Sequence, residues 1–85
     1  MQPVVIYTSR FCSYCVRAKH LLTHKGVEFT EIVVSGNPEL REEMERKSGR
    51  YTVPQIWIGD HHVGGCDELY ELERRGELNS LLFAS

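Results

Sequence analysis

A strand, a helix and a second strand follow one another in the first part of the chain, and this order constrains the fold more than any other feature. The run Val4–Thr8 is β-branched and aromatic, as is typical of a buried strand. A helical pattern covers residues 13–25, and residues 27–34 alternate around Phe29 as a second strand does. Such a unit forms two parallel strands joined by a right-handed crossover. We therefore expect an α/β protein.

The rest of the chain extends this unit with more helices and a hairpin. Asn37 can cap a helix that has Pro38 at its first position. With 85 residues the chain is expected to hold one domain, residues 1–85, in which helices cover both faces of a mixed four-stranded sheet. Helices are predicted over residues 39–47, 67–75 and 77–82, and the hairpin strands over residues 55–58 and 62–63.

The charge balance and the hydropathy argue against several classes of protein. Ten Lys and Arg residues against twelve Asp and Glu residues give a formal net charge of −2. A nucleic-acid-binding domain is usually strongly basic, so we expect no nucleic acid as a partner. No apolar run approaches the ~20 residues that a membrane span needs, and the start of the chain does not resemble a signal peptide. We expect a cytoplasmic protein that does not bind membranes.

Two of the three cysteines, Cys12 and Cys15, lie where the first predicted strand ends and the first helix begins. The free N–H groups and the dipole of a helix N-terminus favour negative charge, and therefore the thiolate form of Cys12. Arg10 adds positive charge nearby. Cys15 lies one turn further along the same helix face, which allows a disulfide between the two, or attack by one on a mixed disulfide at the other. Cys12 is then the exposed nucleophile and Cys15 the more buried resolving thiol.

The cysteine pair has two alternative interpretations, as inert buried thiols or as half of a zinc site. Zinc would need a second pair of ligands, whereas Cys66 stands alone and His61 and His62 lack the usual spacing from it. A Cys-x-x-Cys motif that follows a strand and opens a helix is the expected context of a redox motif. Thiol–disulfide chemistry is therefore favoured, and no metal site is expected.

A second segment of interest is Thr52-Val53-Pro54, where Pro54 opens a predicted strand. A cis bond before Pro54 would leave the backbone of Val53 facing outward, and an extended peptide could pair with it. An ordinary trans proline at the start of a strand is the alternative.

A third segment is Gly64-Gly65-Cys66-Asp67, which leads into the third predicted helix. The two glycines let the backbone approach a ligand closely, and the helix offers N–H groups to an anion. A ligand carboxylate fits there, and the Asp67 side chain could hold an ammonium group or simply cap the helix. Cys66 is expected to be a small buried residue rather than a catalyst.

Together and in this order, the three segments resemble the dithiol class of the glutaredoxin family, most closely its small bacterial glutaredoxin 3 type. The resemblance extends over essentially the whole chain and implies a thioredoxin fold with Pro54 cis and the sheet order 2-1-3-4. It also implies a monomer without a tightly bound cofactor. The matching stretches are IYTSRFCSYC, RAKHLL, REEMERKSGR, TVPQIWI and GGCDELYEL.

The resemblance implies glutathione as the reductant. Cys12 would attack a protein–glutathione mixed disulfide, release the reduced protein and carry glutathione until a second glutathione regenerates it. For protein disulfides, Cys15 would resolve the mixed disulfide formed at Cys12. Glutathionylated or disulfide-containing proteins, such as ribonucleotide reductase, would be the partners.

The family's glutathione contacts carry over residue by residue. Val53 would pair its backbone with the cysteinyl part of glutathione. The start of the third helix would bind the γ-glutamyl carboxylate and amine, and two arginines would lie near the glycine carboxylate. Arg10 stands where lysine is common in the family, so the charge is kept while the hydrogen-bond geometry differs. The implied contact residues are Arg10, Tyr14, Arg41, Thr52, Val53, Pro54, Gly65, Cys66 and Asp67.

Ser13 departs from the family's usual CPYC motif, in which proline stands at this position. Some glutaredoxins with serine there assemble a glutathione-ligated [2Fe–2S] cluster between two subunits, and thiolates suit such clusters. A cluster-binding carrier is therefore the alternative function, although a carrier needs only Cys12 and this chain retains Cys15. A thioredoxin-like protein fed by thioredoxin reductase is a third alternative, against which the GGCD segment and Arg41 argue.

Overall fold

Four strands and four helices lie along residues 1–84, which are the residues that the computed structural model describes. The predicted domain end at residue 85 lies outside them. The order of the elements is the one that the sequence predicts. The strands are β1 (Val4–Thr8), β2 (Thr30–Val33), β3 (Gln55–Ile58) and β4 (His61–Gly64). The helices are α1 (Ser13–His24), α2 (Pro38–Ser48), α3 (Cys66–Arg74) and α4 (Leu78–Leu82).

The strands form one mixed sheet in the order β2-β1-β3-β4. β1 pairs with β2 in parallel, with Val5 opposite Thr30. It pairs with β3 in the antiparallel direction, with Tyr7 opposite Gln55. β4 extends the sheet as the second strand of an antiparallel hairpin. The predicted order 2-1-3-4 is confirmed.

Alternating side chains of β1 divide the core between the two faces of the sheet. Ile6 belongs to a buried cluster with Leu22 of α1 and Leu69 of α3. Tyr7 belongs to a second cluster, on the opposite face, with Met44 of α2. This is the period-two alternation of a strand that is buried on both sides. Helices therefore cover both faces of the sheet, as predicted.

The ends of the first two helices explain where the sequence prediction succeeds and where it fails. The Asn37 side chain caps α2 by accepting a hydrogen bond from the N–H of Leu40 at 3.1 Å. β2 is shorter than the predicted range 27–34, because the N–H of Val27 donates to the carbonyl of Leu22 at the end of α1 instead of joining the sheet.

Among the helices of residues 1–84, none has the length and apolar character that a membrane crossing requires.

The antiparallel pairing of β1 with β3 decides where a functional site can form. Tyr7, near the end of β1, lies opposite Gln55, the first residue of β3. The loop that leaves β1 and the loop that enters β3 therefore meet at one edge of the sheet. The first loop carries Cys12 and the second carries Thr52 and Val53.

Candidate active site

Cys12 is the N-cap residue of α1. Its backbone is extended, with φ −109° and ψ 107°, and its Sγ accepts a hydrogen bond from the N–H of Cys15 at 3.2 Å. The first turn of α1 contains no acidic residue to offset the positive end of the helix dipole. Phe11 turns the chain from β1 into α1 with a φ of 56°, and its side chain is fully exposed. The partly exposed Cys12 sulfur is thus held at a helix N-terminus within reach of solvent.

Cys15 lies in the same helix but has the opposite environment. Only 1% of the residue is exposed. Burial, and then the hydrogen bond with the Cys12 side chain, raise the pKa of the Cys15 thiol to about 12. Cys15 therefore keeps its proton at neutral pH. The arrangement provides one reachable sulfur and one protected thiol a single helical turn apart, which is the geometry that a resolving mechanism needs.

A groove of about 300 Å³ opens beside the cysteines. It runs between the loop that enters β3 and the start of α3. Most of the residues that the family resemblance implies for glutathione line this groove, and two residues that it did not imply, Arg50 and Glu68, line it as well. The full lining is Tyr14, Arg50, Thr52, Val53, Pro54, Gly65, Cys66, Asp67 and Glu68.

Val53 connects this groove to the nucleophile. The thiol of Cys12 donates to the carbonyl oxygen of Val53, with 4.0 Å between sulfur and oxygen. The Val53 side chain packs against the cluster of Tyr7 and Met44 on the α2 face, so its backbone is what it presents to the groove. The Val53–Pro54 peptide bond is cis, which settles the alternative that the sequence left open.

The other wall of the groove is the N-terminus of α3. Gly65 is the N-cap residue, and its N–H donates to Oε1 of Glu68 at 2.6 Å. A side chain at Gly65 would bring a Cβ within 3.3 Å of the Pro54 carbonyl oxygen, so the close approach of the two walls favours glycine there. Asp67 lies in the first helical turn, exposed, rather than at the cap. Cys66 is buried, as predicted, and burial raises the pKa of its thiol.

Two of the implied residues, Arg10 and Arg41, do not line the groove. Arg10 lines a separate depression on the β2 side of Cys12, and its backbone N–H donates to Ser35 Oγ at 3.1 Å. The Arg41 guanidinium donates to the carbonyl of Tyr51 at 3.1 Å, and the residue lines a depression at the start of α2.

Arg50 is the basic residue of the groove itself. Its Nη1 lies 3.2 Å from Oε1 of Glu68, so this ion pair spans the groove from the β3 side to α3. The hydrogen bond from the Gly65 N–H, together with Arg50, lowers the pKa of Glu68. Sequence analysis assigned neither Arg50 nor Glu68 to the groove. The only available signal was that Arg50 lies two positions before Thr52, which was assigned to it.

The fold and the cysteine pair together define a class of protein. A thioredoxin fold with Cys-x-x-Cys at the N-terminus of its first helix is the architecture of thiol–disulfide oxidoreductases. The glutaredoxin family model matches residues 4–63. The chain therefore belongs to the glutaredoxin family.

Named relatives agree with this assignment. The chain is 63% identical over 84 residues to a glutaredoxin of Pseudomonas aeruginosa, covering 99% of this chain and 100% of the relative. It is 56% identical over 82 residues to glutaredoxin 3 of Escherichia coli K12, covering 96% and 99%. It superposes on the crystal structure of a buckwheat glutaredoxin–glutathione complex with a TM-score of 0.86 and 31% identity, covering 95% of this chain and 76% of that one. The predicted dithiol class and oxidoreductase function are confirmed.

Proposed function

We propose that this chain reduces glutathionylated proteins and protein disulfides with glutathione as the electron donor. The observation that carries the proposal is the groove beside Cys12, because its lining includes most of the residues implied for glutathione. A relative with the same fold was solved as a glutathione complex, which supports the same ligand here.

The two walls of the groove suit two different parts of a glutathionyl group. The cysteinyl part would pair with the Val53 backbone as an added strand does, which brings its sulfur towards Cys12. The γ-glutamyl carboxylate would accept hydrogen bonds from the N-terminal N–H groups of α3, and the Asp67 carboxylate would hold the amine. Arg50 supplies positive charge for the glycine carboxylate, and Arg10 and Arg41 add to it from the flanks.

The deglutathionylation cycle has two exchange steps, and the first of them transfers glutathione to the chain. The Cys12 thiolate attacks the glutathionyl sulfur of a mixed disulfide, the old S–S bond breaks, and the protein leaves as a thiolate that takes up a proton. A second glutathione thiolate then attacks the glutathionyl sulfur on Cys12. This releases the Cys12 thiolate and oxidised glutathione, so glutathione supplies the electrons that reduce the protein.

For a protein disulfide, the chain needs its second cysteine. Cys12 attacks first and remains bound to the substrate. Cys15 then attacks the Cys12 sulfur and breaks the S–S bond to the substrate. The departing substrate thiolate takes up the proton that Cys15 loses, so the protein leaves reduced and a Cys12–Cys15 disulfide remains. Two glutathione molecules reduce this disulfide in turn. Ribonucleotide reductase as a substrate, a monomeric state and a cytoplasmic location all stay predictions.

The test measures NADPH consumption by the reduced chain with a glutathionylated peptide. Glutathione and glutathione reductase supply electrons in one cuvette, and thioredoxin reductase supplies them in a parallel one. We expect rapid NADPH loss only with glutathione. Turnover with thioredoxin reductase alone would contradict the proposed reductant.

The carrier function rests on Ser13 and predicts a different result. A chain that holds a [2Fe–2S] cluster through Cys12 and glutathione should be brown after anaerobic purification. It should lose its visible absorbance when Cys12 is replaced by serine. A colourless protein that turns over rapidly with glutathione would favour the enzyme.

A further inference from the structure

Gln55 is a polar residue in a place where a strand normally carries an apolar one. It is the first residue of β3, and its exposed fraction is 0%. A buried carboxamide is costly unless its donors and its acceptor are all paired. Within residues 1–84, each buried side-chain nitrogen or oxygen has a hydrogen-bond partner. The hydrogen-bond partners of Gln55 therefore indicate its structural role.

The donors of Gln55 point back across Pro54 to the groove. Its Nε2 donates to the carbonyl oxygen of Thr52 at 3.0 Å and to Oγ1 of the same residue at 3.2 Å. Because the carbonyl can only accept, the nitrogen of the carboxamide must be the atom on this side. Gln55 thus fixes both the backbone and the side chain of a residue that lines the groove.

The acceptor of Gln55 is held by His62. The His62 Nε2 lies 2.7 Å from Oε1 of Gln55, and since that oxygen accepts, Nε2 must carry the proton. The imidazole stacks on Trp57, its pairing partner across the hairpin, with 4.5 Å between ring centroids. Trp57 in turn lies under the ammonium of Lys47 at 5.2 Å. The His62 ring that orients Gln55 is therefore held in place by its stacking on Trp57.

These contacts leave the Thr52 hydroxyl as a free donor, on a residue that lines the groove. Thr52 Oγ1 accepts from Gln55, so the hydroxyl proton has to point elsewhere. Thr52 is exposed and lines the groove. Its neighbour Val53 places its carbonyl oxygen 4.0 Å from the Cys12 sulfur. The chain of hydrogen bonds from His62 through Gln55 therefore ends on Thr52, directly before the residue whose carbonyl lies beside the nucleophile.

We infer that Gln55 is a positioning residue of the groove: oriented by His62, it fixes the Thr52–Val53 backbone and turns the Thr52 hydroxyl into a donor for the bound glutathionyl group. The inference rests on the proposed function, because it concerns that ligand. It predicts that Gln55 acts on recognition of the glutathionyl group and not on the reactivity of Cys12.

The test compares two forms of one peptide, one carrying glutathione and the other carrying cysteine in a mixed disulfide. Gln55→Leu keeps a side chain of similar size and removes the hydrogen bonds. We expect kcat/KM for the glutathionylated peptide to fall about tenfold, the effect of one or two net hydrogen bonds. The value for the cysteinylated peptide, which has only the cysteinyl contact, should fall clearly less, and the rate of Cys12 alkylation by iodoacetamide should not change. Gln2→Leu, the same substitution outside the groove, should leave every rate unchanged.

A double-mutant cycle separates positioning from a general structural effect. In a Thr52→Val background the hydroxyl is already absent, so adding Gln55→Leu should cost clearly less than it does in the wild type. His62→Phe is the second variant, because phenylalanine can keep the stacking on Trp57 while removing the donor. It should lower kcat/KM for the glutathionylated peptide about threefold, the lower end of a hydrogen-bond contribution. This variant decides the question if Gln55→Leu does not fold.

Two results would overturn the inference. One is an unchanged kcat/KM for the glutathionylated peptide in both variants. The other is an equal loss for both peptides, which would make Gln55 a purely structural residue. A wild-type chain that does not use glutathione at all contradicts the proposed function itself, and this outcome is visible before any variant is made.

Discussion

At the residue scale, Cys12 and Cys15 share one short motif but differ in exposure. The Cys12 side chain caps a helix and the residue is partly exposed, whereas burial raises the pKa of Cys15 to about 12. Because the thiolate is the nucleophile in disulfide exchange, the buried and protonated Cys15 thiol is a poor group to attack a substrate first. The order of attack in the proposed cycle follows from this difference.

Replacing Cys12 with serine should abolish both activities. A serine hydroxyl does not ionise near neutral pH and does not form a disulfide, so no first step remains. NADPH-coupled turnover of a glutathionylated peptide should fall to the uncatalysed rate. Residual turnover close to that of the wild type would mean that another residue is the nucleophile.

Replacing Cys15 with serine should separate the two activities. Deglutathionylation needs only Cys12, so its rate should stay close to that of the wild type. Reduction of a protein disulfide should be strongly impaired, because nothing resolves the mixed disulfide. The two assays use the same variant preparation, and an equal loss in both would show that Cys15 takes part in every cycle.

Asp67 tests the α3 wall of the groove. Its carboxylate is exposed in the first turn of α3, so a bond to a ligand amine should contribute modestly. We expect Asp67→Ala to raise the KM for a glutathionylated peptide about tenfold, as the loss of one charge-assisted hydrogen bond would, with kcat kept. Asp60→Ala in the hairpin turn is the matched control and should leave KM unchanged. An unchanged KM in Asp67→Ala would remove that residue from the site.

At the scale of elements, α2 shows how local signals fix a boundary. The Asn37 side chain accepts from the Leu40 N–H, and Gly49 ends the helix with a φ of 72°. Asn37→Ala should lower the free energy of unfolding by about 1 kcal/mol, or the melting temperature by about 4–8 °C for a domain of this size. Asn79→Ala, in the exposed part of α4, should have little effect. A null result in urea unfolding of Asn37→Ala would contradict the role of the cap.

The elements could be predicted from sequence where local chemistry decides, and not where packing does. The cap at Asn37, the strand β1 and the cysteine pair at the start of α1 all carry short-range signals. The end of β2 does not, because Val27 is apolar whether its N–H bonds to the sheet or to α1. The choice between Arg41 and Arg50 as the basic residue of the groove also depends on how α2 packs.

At the scale of the whole molecule, stability should depend on pH in a defined direction. Burial lowers the pKa of His62 below 6.5, so the unfolded chain binds more protons in this range. The stability that His62 contributes is present above pH 6.5 and is lost as the pH falls through its folded pKa. Hydrogen bonds from Thr8 and Lys19 lower the pKa of Glu31 below 4.5, so its contribution is lost at a lower pH.

Urea unfolding between pH 7 and pH 4 would measure this dependence. The free energy of unfolding should decline first below pH 6.5 and again below pH 4.5. His62→Gln should flatten the first decline, whereas His20→Gln, on the exposed face of α1, should keep it. A first decline that persists in His62→Gln would assign it to another group.

The pairing of β1 with β3 also has a consequence for how the protein is made. Cys12 and the Val53 carbonyl beside it are 41 residues apart in the chain. At the usual 5–20 residues per second of synthesis, the second emerges about 2–8 seconds after the first. A growing chain therefore exposes the Cys12 sulfur before the groove beside it can form. During synthesis, the proposed nucleophile would thus be present for several seconds without the groove that we propose selects its substrate.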